Sequence, residues 1–113
     1  MHELSICGSV ADIATRRAGG RPVETIHLRI GQLRQIVPDT LEYCWSMVTT
    51  STELEGSRLE IDYVRARISC RTCGAVQELD EYPILLCTSC DGADVEILAG
   101  EEFMVTALDL AKV

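Results

Sequence analysis

Residues 70–90 read CRTCGAVQELDEYPILLCTSC, and the four cysteines of this stretch decide how the rest of the chain must be arranged. Cys70-x-x-Cys73 and Cys87-x-x-Cys90 are separated by 13 residues, enough for a short hairpin that brings two knuckles face to face. Zinc favours four soft thiolates in a tetrahedron, and two residues between cysteines let each knuckle chelate with backbone amides near the sulfurs. Gly74 and Gly92, just beyond the knuckles, are expected to supply the backbone freedom such turns use. With every coordination position filled by protein, a site of this kind holds structure and does not activate water. Neither pair opens a helix after a strand, which disfavours a redox-active Cys-x-x-Cys pair. A rubredoxin-like iron site stays open as an alternative.

The surrounding chain supplies a fold for that module to sit in. At 113 residues, with 47% hydrophobic and 25% charged residues, it suits one compact domain plus a small metal-stapled module unable to fold alone. Upstream, Leu4, Cys7, Ala11, Ala14 and Ala18 recur at helical spacing, with Ile6, Val10 and Ile13 widening the stripe and Gly19-Gly20 as the stop. RPVETIHLRIGQL then alternates, Ile26, Leu28 and Ile30 on one face and Thr25, His27 and Arg29 on the other, as a half-buried strand should. VPDTLEYCWSMV begins with Pro38 and Asp39 at a helix start and carries Leu41, Cys44, Trp45 and Val48 on one face. RLEIDYVRARI, residues 58–68, reads as a second strand, and EEFMVTALDL, residues 101–110, as a third that returns to the sheet. The fold class is α+β: a small three-stranded sheet with two helices, plus an inserted four-cysteine, zinc-ribbon-like module. Residues 1–69 and 95–113 form the first unit and 70–94 the second.

Charge and compartment exclude some functions. Residues 1–69 hold 8 Lys/Arg against 9 Asp/Glu, whereas residues 70–113 hold 2 against 9, so nearly all of the net charge of −8 lies in the C-terminal part. Phosphate binding needs a basic surface, so nucleic acid is not expected as a partner; a basic protein or a cation fits better. Nothing at the start reads as a secretory signal and no apolar run approaches the length of a membrane span, so the expected compartment is the cytoplasm and no membrane is expected as a partner. Thiols stay reduced there, which favours metal ligation over disulfides. Cys7 and Cys44 lie on helical apolar stripes and read as small buried hydrophobes rather than a reactive pair. His27, mid-strand and opposite Ile26 and Leu28, reads as a structural imidazole, with a metal-ligand role as the alternative.

His2 is harder to place from residue type. If Met1 keeps a free α-amine, that amine, the His2 amide and the His2 imidazole can close consecutive chelate rings around Ni(II) or Cu(II), which favour a nitrogen-rich planar set. Taken alone, a solvated terminal histidine is the ordinary outcome.

The opening MHELSI, LRIGQL followed by VPDTLEYCW, LEGSRLEI, and the two knuckles followed by ADVEILAGEEFMV give the chain, over essentially its whole length, a likeness to a known family. It resembles the HypA (HybF) nickel metallochaperones, which assist maturation of nickel-iron hydrogenase and, in some organisms, urease. The resemblance implies that Met1, His2 and Glu3 bind Ni(II) as transported cargo. It implies that Cys70, Cys73, Cys87 and Cys90 bind structural Zn(II), with the zinc module inserted before the last strand. It also implies delivery with a HypB-type GTPase to the nickel-iron hydrogenase large subunit, no catalysis, and a monomer or weak homodimer. In some members a histidine of the zinc module approaches the nickel; here the only histidines are His2 and His27. A zinc-ribbon adaptor that binds other proteins and has no nickel role is the competing expectation, and it predicts that masking the first three residues changes nothing.

Overall fold

A computed structural model describes residues 2–112. The first helix, α1 (Glu3–Ala18), buries Ile6, Cys7, Val10, Ala14 and Ala18, and ends at Gly19, whose φ of 59° is the left-handed stop expected of glycine. The stripe is turned slightly from the expected one: Leu4 is 52% exposed, while Ala11 only skirts the core. Strand β1 (Val23–Gly31) follows, then a 3-10 turn at Gln32–Arg34 and helix α2 (Pro38–Val48). Proline opens α2 where its missing N–H costs nothing, and Leu41 and Trp45 point inward. The Trp45 indole N–H donates to Ser57 Oγ at 3.0 Å, so its one polar atom is satisfied.

Helix α2 is the crossover that lets β2 (Arg58–Val64) lie parallel to β1, from Thr25 opposite Arg58 to Gly31 opposite Val64. Strand β6 (Phe103–Leu110) pairs antiparallel with the other edge of β1, giving the order β2-β1-β6. As the central strand, β1 is covered more fully than alternation alone implies: Thr25, on the face away from Ile26, is also buried. The main core joins Ile6, Val10, Ile26, Leu28, Ile30, Leu41 and Trp45.

Residues 58–68 do not form one strand. The chain leaves the first sheet after Val64 and enters a second, built from β3 (Arg67–Cys70), β4 (Val76–Glu78) and β5 (Val95–Ala99) in the order β4-β3-β5. The break at Arg65-Ala66 has a physical cause. Backbone at Ala66 is committed to the junction, its N–H donating to Gln32 Oε1 at 2.8 Å and its carbonyl accepting the Leu79 N–H at 2.8 Å. The Gln32 amide N–H in turn donates to the Asp80 carbonyl, so one buried side chain ties the end of β1 to both flanks of the second sheet.

Two glycines make this seam possible. A Cβ on Gly31 would fall 2.1 Å from the Gly100 carbonyl carbon, and one on Gly100, at φ 118°, would fall 2.8 Å from Ala66 Cα. Leu33 reaches across to a small second core of Ala66, Ile68 and Leu79, with Val95 and Ile97 packed against it. The molecule is therefore elongated, 56 × 23 × 16 Å. Gln32→Leu keeps the volume but strands the Ala66 N–H and the Asp80 carbonyl, so it should cost about 2–4 kcal/mol of stability. Urea unfolding monitored by Trp45 fluorescence measures this, and a cost near zero would mean the seam does not depend on Gln32.

Among the described residues, no helix is long and apolar enough to cross a membrane.

Candidate metal centre

Each knuckle is a tight turn whose amides face sulfur. In the first, the Cys70 N–H donates to the Ala75 carbonyl at 2.9 Å and the Gly74 N–H to the Cys70 carbonyl at 2.8 Å; in the second, Cys87 N–H donates to Gly92 at 2.9 Å and Asp91 N–H to Cys87 at 2.8 Å. The two turns are near copies, and each needs a left-handed residue directly after its second cysteine. Gly74 fills that place at φ 78°, and Asp91 fills it at φ 60°. The sequence pointed to Gly92 for that freedom, but Gly92 serves a different end: a Cβ there would lie 3.2 Å from Cys90 Sγ.

These turns gather the four sulfurs to within 4.8 Å of one another. Cys70 and Cys90 are 3.6 Å apart, and Cys73 and Cys87 are 3.5 Å apart. Metal–sulfur bonds of about 2.3 Å in a tetrahedron require sulfur edges of about 3.8 Å, so the cluster fits a single tetrahedral ion of that size. Cys70 and Cys87 are buried and Cys73 and Cys90 exposed. The Cys73 amide, followed by that of Thr72, holds the Cys70 thiol well below its usual range, at about 6. The Cys90 and Ser89 amides act in the same direction on Cys87. The amides thus favour Cys70 and Cys87 as the thiolates of the group, while the hydrogen bonds those sulfurs share with Cys73 and Cys90 push the latter two thiols up. The module is braced by Gln77 Oε1, which accepts both the backbone N–H and the hydroxyl of Thr88 at 3.1 Å, and by Arg71 donating to Asp94 at 3.0 Å. Neither brace was evident in the sequence, because each joins residues far apart in the chain.

Met1 lies outside the described residues. His2 is exposed and occupies the N-cap of α1 in an extended conformation, with no capping bond from its imidazole. Its carbonyl accepts the Ile6 N–H at 3.2 Å, so the backbone is anchored while the ring is free of the helix. Glu3 is the first helical residue and half-buried.

The other sulfurs and the second histidine are occupied structurally. Burial, with Cys44 and Glu3 nearby, pushes the Cys7 thiol up to about 11, and its Sγ lies 3.7 Å from the Leu41 carbonyl. Cys44 is only half-buried at the edge of the same core. His27 stands between two carboxylates, with Nε2 2.9 Å from Asp109 and Nδ1 3.3 Å from Glu60. It thus bridges all three strands of the first sheet, and the carboxylates lie on opposite sides of the ring, where they cannot share one cation with it.

The arrangement has known counterparts. The family model described as "Hydrogenase/urease nickel incorporation, metallochaperone, hypA" matches residues 1–110. A protein named hydrogenase maturation factor HypA from Geotalea uraniireducens is 44% identical over 112 residues, covering 97% of this chain and 99% of that protein. One of the same name from Nostoc is 34% identical, covering 100% and 98%. The solution structure of the Ni metallochaperone HypA from Helicobacter pylori superimposes with a TM-score of 0.65 at 19% identity, over 97% of each chain, which shows a shared fold.

Proposed function

This chain belongs to the HypA family of hydrogenase/urease nickel-incorporation metallochaperones, and from that premise we propose that it binds Ni(II) at Met1, His2 and Glu3 and delivers it during maturation of nickel-iron hydrogenase. Family membership makes it a maturation factor and not an enzyme. In the proposed division of labour, residues 1–69 and 95–113 handle nickel and residues 70–94 hold structural zinc through Cys70, Cys73, Cys87 and Cys90. The observation that carries this reading is the exposed His2 ring, free of any capping bond, at the head of a helix within the matched region.

A carrier must win its ion and then release it. A chain end with an amine, a backbone amide and one imidazole offers few side-chain ligands and is reachable by an acceptor from most directions. These donors must lose protons to bind, so affinity falls as the pH falls. Bound at the four cysteines, zinc supplies a cross-link between the two knuckles; two amide-stabilised thiolates at Cys70 and Cys87 support its binding there. The partners in this reading are a HypB-type GTPase and the hydrogenase large subunit, met in the cytoplasm, with urease maturation a second client.

Nickel titration of protein starting at Met1, with its α-amine free or acetylated, tests the role of the chain end. Acetylation removes the basic amine and leaves every side chain, so it should weaken nickel binding near pH 7 at least about tenfold while zinc content stays the same. Equal affinity and an identical spectrum in the two forms would remove the terminus as a ligand. Together with an intact zinc site, that result would favour the adaptor reading.

A further inference from the structure

Residues 81–86, EYPILL, form the tip of the loop that joins β4 to the second knuckle, and neither hydrophobic core absorbs them. Tyr82 is 82% exposed and Ile84 65%, with Leu85 and Leu86 exposed beside them. Single apolar residues at a surface are ordinary, but four large ones crowded into so short a run make a patch. The loop is held at both ends. Before it, the Leu79 N–H donates to the Ala66 carbonyl and the Asp80 carbonyl accepts from Gln32; after it, Cys87 enters its knuckle and Gln77 Oε1 accepts both donors of Thr88. Within the tip, Pro83 fixes its own φ and the Leu86 N–H donates to the Ile84 carbonyl at 2.8 Å. A tip tethered in this way loses little chain entropy when it binds.

Its surroundings are acidic. Residues 70–94 hold one basic side chain, Arg71, against Glu78, Asp80, Glu81, Asp91 and Asp94. Arg71 pairs with Asp94 and Arg65 reaches Glu78, whereas Asp80, Glu81 and Asp91 have no ion pair among the described residues. An apolar tip with an anionic rim is repelled by the anionic surface of a membrane and matches a protein cleft edged with lysine or arginine.

The tip also shares an end of the molecule with His2. Cys7 Sγ lies against the carbonyl of Leu41, in the first turn of α2, so the heads of the two helices stand together. Helix α2 begins shortly after Gln32, the side chain that holds Asp80. The tail of α1 is about 24 Å from its head, near the far end of the sheet, where the Pro22 carbonyl accepts the Ala111 N–H. Leu4 and Val37, both exposed, extend the apolar surface at the His2 end.

We infer that residues 81–86 are a docking element for the protein that takes nickel from His2, inserting Tyr82, Ile84 and Leu85 into an apolar cleft edged with basic residues. This rests on the nickel-delivery reading and adds to it which part of the chain grips the acceptor. One partner then touches both units: the metal module holds it while the exposed His2 ring is left to pass the ion. The four cysteines serve delivery indirectly, because Cys87 fixes the far end of the gripping loop.

Purified nickel-free hydrogenase large subunit is the probe, against the intact, zinc-loaded chain with and without Tyr82→Ser and Ile84→Ser together. Both positions are exposed, so zinc content, melting temperature and nickel affinity should match those of the unsubstituted chain. Affinity for the large subunit should fall at least about thirtyfold, and the rate of nickel transfer at low protein concentration should fall with it. Glu81→Lys should weaken binding several-fold and flatten its dependence on salt. Equal binding by the double variant overturns the proposal, as does an unsubstituted chain with no affinity for the large subunit. A loss confined to the GTPase, to self-association or to phosphatidylglycerol vesicles overturns it too. Binding that depends on Tyr82 and Ile84 in a chain that carries no nickel supports the docking element and removes the delivery reading.

Discussion

Replacing Cys87 by serine removes the metal and unfolds residues 70–94, while the first sheet and its helices remain folded. Cys87 is 1% exposed and its sulfur lies 3.5 Å from that of Cys73, so serine leaves three thiolates around an incomplete tetrahedron. Structural zinc contributes on the order of 10 kcal/mol to the small modules it holds together. Nothing in the second sheet could replace that. Its own buried core is Ala66, Ile68 and Leu79, far less apolar surface than a domain needs to fold alone. The first unit depends on it little, because every buried residue of the main core lies before Arg65. Zinc analysis and hydrogen exchange on the variant give the answer together. Stoichiometric zinc with native protection across residues 70–94 would show that the four sulfurs are not the ligand set.

His2→Ala is expected to reduce nickel affinity at least about a hundredfold while zinc content and melting temperature stay as they were. The loss is large because the imidazole is the one side chain at the terminus with a nitrogen donor, and nickel prefers nitrogen over carboxylate oxygen in a planar set. The structure is indifferent because the ring is exposed and gives no bond to the cap of α1. Isothermal titration with nickel beside a thermal melt separates the two effects. Unchanged affinity would move the nickel site elsewhere, whereas a fall in melting temperature would mean the ring supports the helix after all.

Much of the fold was legible because its signals are local. The helical spacing from Cys7 to Ala18 with Gly19 after it, the Pro38-Asp39 start of α2, and the alternation of β1 are each complete within a few residues. The cysteine cluster was legible for the same reason, since two knuckles declare their ligands by spacing. Most of what escaped depends on partners distant in sequence. Apolar and polar residues go on alternating through Arg65 and Ala66, so residues 58–68 look like one strand, but the phase flips at Tyr63-Val64, from Leu59, Ile61 and Tyr63 to Val64, Ala66 and Ile68. That slip marks the break in the sequence, and the Gln32 bond to the Ala66 N–H fixes where it falls. Strands β4 and β5 are short and partly exposed, with too few residues for a period to stand out. The left-handed turn at Asp91 was missed because glycine is the residue one looks for there, and Gly92 sits next to it.

The seam at Ala66 and Gly100 also bears on the order in which the protein folds. Pairing β1 with β6 joins Ile30 to Phe103, a closure across most of the chain. Once the metal module has formed, Arg67 and Ala99 are already opposite each other, and the intervening segment counts as a short bridge. The loop left to close falls from roughly 70 to roughly 40 residues, which lowers the entropic barrier by about 0.5 kcal/mol. Metal capture before that closure should speed it roughly twofold. A nascent chain that has already captured a metal at its four cysteines joins β1 to β6 sooner than one still waiting for it.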